Sequence, residues 1–174
     1  VNKENFEKMI HESLVAWQEG KLVAIPTETV YGLGAPVNNI KLVHQIFAVK
    51  ERPFFDPLIV HVSSIDMAKK YCTQWGELAH RLATEFWPGP LTMVMPKSEL
   101  IDSVITSGLE TVGLRIPNNQ LSIDLINTVG VGVAAPSANK FTKTSPTTAD
   151  HVRDQFSDRD VYVLEDDPSE VGIE

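Results

Sequence analysis

Cysteine is all but missing from this chain: Cys72 stands alone among 174 residues. An internal disulfide and a cysteine-cluster metal site are excluded, and a reducing compartment is the natural setting. Long apolar runs are missing as well. None approaches the roughly 18 residues of a membrane span, and the first residues form an acid-bearing amphipathic pattern unlike a signal or transit peptide. A cytoplasmic protein without membrane association is expected. Basic residues are outnumbered, 15 Lys and Arg against 23 Asp and Glu, which leaves a net charge of −8. General phosphate neutralisation needs a basic surface, so weak or no direct nucleic acid binding is expected. No G-x-x-x-x-G-K-[ST] and no G-x-G-x-x-G after a strand occurs, so neither a P-loop nor a dinucleotide fold is supported. His61 has no histidine or cysteine neighbour at metal-ligand spacing, and no Ser/His/Asp arrangement forms a local motif. A resident zinc site and an ordinary serine hydrolase find no support, and no protein-held metal is expected.

What is present is enough apolar residue, 43% of the chain, for one globular domain with a sizeable core. The clearest stretch is KLVAIPTETVYGLG, Lys21 to Gly34. Leu22 to Ile25 is a short apolar run between Gly20-Lys21 and Pro26, the pattern of a buried strand. Beyond it, two threonines flank a glutamate and two glycines follow, which predicts a loop where a backbone can approach a ligand. The other reading of the same residues is a strand end whose hydroxyls only satisfy turn carbonyls.

Apolar spacing predicts an opening helix through Phe6, Met9, Ile10, Leu14 and Trp17, stopped by Gly20. Asn39 caps a second helix with an apolar face of Leu42, Val43, Ile46 and Phe47. Leu58 to Val62 reads as a strand ending near His61. Ser64 caps a helix burying Ala68, Tyr71 and Cys72, and Trp75, Leu78, Leu82 and Phe86 trace a further packing stripe. Trp87-Pro88-Gly89-Pro90 forces a turn into a strand from Leu91 to Met95. Pro96 to Glu110 yields no clear element. Thr111 to Ile116 alternates, with Val112, Leu114 and Ile116 on one face and Thr111, Gly113 and Arg115 on the other. Asn118 is read as the cap of a helix from Asn119 to Thr128, and Val131 to Ala134 as a strand running into Ala135-Pro136-Ser137-Ala138-Asn139. Thr147 and Asp150 have capping-box spacing before a helix through Val152 and Phe156, and Val161 to Leu164 is a last strand. Alternating strands and helices predict an α/β fold.

Two strand ends, near Thr29 and near Ser137, carry small hydroxyl and amide groups that suit a shared cleft. Lys50 and Arg52 leave a helix at a proline-punctuated loop, where they face a polyanion or form a solvated run. Arg115 on its strand needs an anionic partner, met by an internal carboxylate or by a ligand.

Taken in order, KLVAIPTETVYGLG, the K-x-R-P of Lys50 to Pro53, PLIVHV, WPGPLT, TVGLRIP, APSAN and SPT resemble the threonylcarbamoyl-AMP synthase family, the YrdC-like (TsaC) proteins. The likeness spans nearly the whole chain. It implies a YrdC-like twisted, mostly mixed open sheet with flanking helices and a substrate cleft over residues 1–174. It also implies a nucleotidyltransferase that makes threonylcarbamoyl-AMP and pyrophosphate from L-threonine, bicarbonate and ATP with Mg²⁺. The product would pass to the machinery that modifies tRNA at the adenosine beside the anticodon. By the resemblance, Thr29, His61, Arg115 and Ser137 match positions that hold threonine. Lys50, Arg52, Thr111, Asn139 and Thr147 match positions around ATP, with Lys50 and Arg52 neutralising charge during the reaction. Asp56 falls at the same nucleotide site, where relatives often carry a polar amide.

Two departures stand out. Asp166-Asp167 replace the family's Gly-Gly pair, and the sequence stops at Val171-Gly172-Ile173-Glu174, short of the serine and threonine of the G-x-E-S-T motif. The C-terminal strands are therefore expected to be missing. The competing readings are an RNA-binding module without catalysis and a carbamoyl-adenylate-forming domain of a hydrogenase-maturation type protein.

Overall fold

In a computed structural model, which describes residues 3–51, 56–140 and 142–173, the chain alternates helices and strands. The order is α1 (Lys3–Gln18), β1 (Leu22–Ile25), β2 (Gly32–Pro36), α2 (Ile40–Lys50), β3 (Ile59–His61), α3 (Ile65–Lys70) and α4 (Glu77–Phe86), followed by β4 (Met93–Pro96), β5 (Thr111–Arg115), α5 (Gln120–Val129), β6 (Val133–Ala134), α6 (Ala149–Gln155) and β7 (Val161–Val163). The strands form one sheet in the order β4-β5-β3-β6-β2-β1-β7. Pairing is mixed: β3 runs parallel to β5 and β1 to β7, while β1–β2, β2–β6, β3–β6 and β4–β5 are antiparallel. The fold is thus the α/β mixed sheet with flanking helices that the alternation of elements predicts.

Local chemistry sets the helix starts. The side chains of Asn39, Ser64, Asn119 and Thr148 each accept a main-chain N–H from the first turn of α2, α3, α5 and α6, relieving donors that a helix leaves unpaired. Two expected caps shift by one residue. Asn119 rather than Asn118 caps α5, its Oδ1 accepting the Ser122 N–H at 3.0 Å, while the Asn118 N–H donates to Glu28 Oε2 at 3.0 Å. Thr148 rather than Thr147 caps α6, and Thr147 Oγ1 instead meets His151 Nδ1 at 3.4 Å.

Two further expectations are corrected. The loop expected after β1 contains a strand, β2, wholly buried although it lacks apolar/polar alternation. Both of its faces are covered, so no alternation is required. A Cβ at Gly34 would stand 2.8 Å from Val133 Cγ1 and 3.2 Å from Val23 O, so any larger residue here forces its neighbours to shift. The packing stripe predicted around α4 is split: Trp75 and Leu82 pack against the core, whereas Leu78 is 69% and Phe86 52% exposed, and Ala83 is the residue that α4 buries fully. Trp75 packs against Trp87, ring centroids 6.2 Å apart. The segment after α3 is similarly non-helical: Tyr71 is its C-cap, and buried Cys72 bridges to Lys97.

Side-chain alternation along β3 and β5 divides the sheet into a core face and a cavity face. Val60, Val112 and Leu114 are buried in the core, whereas His61 and Arg115, in register on neighbouring strands, face a cavity.

Candidate active site

The Thr27–Thr29 turn begins where β1 ends. Thr27 Oγ1 donates to Val30 O at 2.6 Å and accepts the N–H groups of Thr29 and Val30 at 3.3 and 3.2 Å. The two threonine hydroxyls also lie 3.1 Å apart. Arg115 Nη2 donates to Thr29 Oγ1 at 3.1 Å. Thr29 Oγ1 accepts that N–H and keeps its own proton for Thr27 Oγ1 or for a ligand.

The second wall is the 135–139 loop, joined to the first by backbone pairing. Leu33 N–H donates to Pro136 O at 2.8 Å and Ala138 N–H to Tyr31 O at 2.6 Å. A Cβ on Gly32 would lie 3.2 Å from Ala135 Cβ, which explains the glycine at this close approach. Lys50 reaches the loop from behind. Its ammonium, 1% exposed, donates to the carbonyls of Ser137 and Asn139 and to Asn139 Oδ1. Asn139 Nδ2 in turn donates to Lys140 O and Lys143 O, at 3.0 and 2.7 Å.

Between these walls lies a cavity of about 480 Å³ bordered by Thr29, His61, Arg115 and Ser137. Arg115 is fixed on several sides: Nε donates to Gly89 O at 3.2 Å, and Nη2, besides its bond to Thr29, stands 2.8 Å from Glu28 Oε1. His61 is held neutral. Burial first, then the Arg115 charge, pushes its pKa down to about 3. Its Nδ1 is buried without a hydrogen-bond partner among the described residues, and polar atoms left so are costly unless something else meets them.

The four residues matched to threonine positions thus meet in one cavity. Those matched to nucleotide positions are more dispersed. Thr111 lies further along β5, and Thr147 sits beside the final segment, its carbonyl accepting from Ser169 N–H at 2.9 Å. Asp56 precedes Pro57 at the rim of the cavity, Lys50 and Asn139 stand behind the Ser137 loop, and Arg52 lies outside the described residues. Sequence reasoning missed Thr27, Glu28, Thr92 and the tail. Val171 N–H donates to Glu28 O at 2.8 Å and Gly172 N–H to Thr29 O at 3.1 Å, which brings Val171 and Ile173 to the cavity edge. Thr27 and Glu28 belong to the quoted PTET stretch, but no spacing rule separates them from Thr29. The tail carries no signal of its own.

This arrangement defines an α/β protein with a small cleft at strand ends, its largely apolar wall interrupted by one buried guanidinium, a neutral imidazole and the hydroxyls of Thr29 and Ser137. The chain belongs to the Sua5/YciO/YrdC family, whose model, described as "Telomere recombination", matches residues 15–174. It is 45% identical over 157 residues to a threonylcarbamoyl-AMP synthase of Pyrococcus abyssi, covering 90% of this chain and 46% of that protein. To the Bacillus subtilis protein of the same name it is 39% identical over 169 residues, covering 97% and 49%. The crystal structure of P. abyssi Sua5 complexed with L-threonine superposes with a TM-score of 0.90 at 42% identity, covering 96% of this chain and 49% of the other. The chain therefore spans about half the length of the curated relatives named here. No described helix is long and apolar enough to cross a membrane.

Proposed function

We propose that this chain carries the L-threonylcarbamoyladenylate synthase activity, a nucleotidyl transfer that converts L-threonine, bicarbonate and ATP into threonylcarbamoyl-AMP and pyrophosphate. The observation that carries the reading is the convergence of Thr29, His61, Arg115 and Ser137 on one cavity. The names of the relatives and the threonine bound to P. abyssi Sua5 support it. An α-amino acid presents a carboxylate and an N–H-bearing amine, and the cleft offers the complement of each. Arg115 is the donor for the carboxylate. The Thr29 hydroxyl is placed to pair with the amine or the substrate hydroxyl, and neutral His61 adds no charge to repel the amine.

The amine, once unprotonated, attacks the bicarbonate carbon, and loss of water leaves a carbamate. A carbamate oxygen attacks the α-phosphorus of ATP, and the bond to the β-phosphate bridging oxygen breaks to release pyrophosphate. No enzyme nucleophile enters. Catalysis rests on holding two anionic reactants in line and on neutralising their charge. Mg²⁺ is assigned to the nucleotide as MgATP, since the described residues assemble no group of three His, Cys, Asp or Glu around an ion. Arg52 is assigned to the phosphates. Lys50 is assigned to the loop that frames the nucleotide side, where it holds Ser137 and Asn139. The product is passed to the tRNA threonylcarbamoyl-transfer machinery.

The test is pyrophosphate release from MgATP and bicarbonate with and without L-threonine, and with Arg52→Ala. Strict threonine dependence, with loss of most turnover in a folded Arg52→Ala chain, is expected. Threonine-independent release, or undiminished turnover in the variant, overturns the assignment.

A further inference from the structure

Glu28 does not border the cavity, yet its carboxylate is 4% exposed, about as buried as the guanidinium it faces. A charge so enclosed is costly unless paired and hydrogen-bonded. Both conditions are met in one direction only. Oε2 accepts the Asn118 N–H at 3.0 Å, and Oε1 stands 2.8 Å from Arg115 Nη2. That second contact is an ion pair rather than an aligned hydrogen bond, since Oε1 has no hydrogen-bond partner among the described residues. The attraction is therefore chiefly Coulombic and draws the guanidinium toward Glu28, while Thr29 Oγ1 and Gly89 O fix its plane through directed bonds.

We infer that Glu28 is the positioning residue of Arg115: an unreactive carboxylate behind the guanidinium that fixes its orientation toward the cavity and so sets the affinity for the substrate carboxylate. The inference rests on the proposed amino-acid site and deepens it. The chemistry requires an acid at this place. A carboxylate accepts at both oxygens, whereas an amide accepts at one and donates at the other. Glutamine at position 28 would turn an NH₂ group either on the Asn118 N–H or on the Arg115 guanidinium, a donor-to-donor contact in both cases. Glu28 and Thr29 are chain neighbours, so a single loop supplies the charge partner and the directed acceptor for the same Nη2.

The experiment has two readouts on the same variants. The first needs no substrate: in NMR spectra of the arginine side chains, the Arg115 N–H groups, assigned by their loss in Arg115→Met, are slowed and resolved in the wild type and averaged in Glu28→Gln. The second is the kinetics of threonine-dependent pyrophosphate release. Glu28→Gln is expected to raise KM for L-threonine about tenfold, the loss of one good hydrogen bond to a charged group, while KM for ATP is unchanged and kcat stays within about twofold of wild type. In an Arg115→Met background Glu28→Gln is expected to add nothing to the KM for L-threonine, because the guanidinium through which Glu28 acts on the substrate is gone. A Glu28→Gln chain with an equally resolved Arg115 signal, equal losses for both substrates, or a further loss on top of Arg115→Met overturns the inference. Should Glu28→Gln fail to fold, the double variant decides against Arg115→Met alone, since it buries no unpaired charge. A wild type without threonine-dependent release condemns the proposed function instead, and the NMR comparison still judges the role of Glu28.

Discussion

The ammonium of Lys50 rests on the main-chain carbonyl of Ser137, 87 positions further along the chain. Lys50 ends α2, and the sequence places it beside Arg52 as one of a pair aimed at phosphate. Its ammonium donates to three oxygens of the 137–139 loop. Such a cation orders a loop by donating to carbonyls that the sheet leaves unpaired.

Lys50→Met keeps the length of the side chain and removes its donors. Stability in urea is expected to fall by about 1–3 kcal/mol, the range for stranding buried hydrogen-bond partners. Hydrogen exchange at the Ala138 N–H, which pairs with Tyr31 O, is expected to speed up as the loop loosens. Unchanged protection at Ala138 would show that the loop holds its shape without Lys50.

His61 governs an acid-sensitive part of the stability. The folded chain keeps it neutral down to about pH 3, whereas an unfolded histidine takes up its proton near pH 6.5. Between these values the unfolded state binds the additional proton, so stability falls as the pH drops through this window, by at most about 1.4 kcal/mol per pH unit. Above about pH 7 this group adds no pH dependence. His61→Gln should flatten the acid limb of urea-melt stability over that range; an unaltered limb would mean that other groups carry it.

Gly34→Ala tests the packing between β2 and β6. The new methyl meets Val133 Cγ1 at 2.8 Å, and overpacking of this kind costs about 1–3 kcal/mol. Adding Val133→Ala removes the obstructing carbon, so the double variant should be more stable than additivity of the two single changes allows. Thermal melts of the four chains measure this coupling, and strict additivity would place the conflict elsewhere, for instance at Val23 O, 3.2 Å away.

Much of the fold is legible in local pattern. The run Leu22–Ile25 is β1 residue for residue, and the caps at Asn39 and Ser64 act as read. The errors share a cause. Strand β2 has neither alternation nor β-branched residues, because both its faces are covered and glycines make room for neighbours distant in sequence. The α4 stripe has the helical period, but periodicity shows only that residues share a face, not that anything covers that face. The shift of the α5 cap from Asn118 to Asn119 is a choice between two adjacent asparagines that capping preference alone does not make.

By itself, the sequence determined the α/β class, the main strand and helix starts, and the residue types from which the site is made. These follow from interactions within a few positions, namely backbone sterics, capping and apolar period. Only the tertiary structure decided what those residues face: that Lys50 holds a loop, that Arg115 is partnered by Glu28 and still borders the cavity, and that the Thr29 hydroxyl stands between Thr27 and Arg115. Each depends on which atoms compete for a proton or a charge across the sheet. That competition is settled by long-range packing in a desolvated interior, where no local rule reaches.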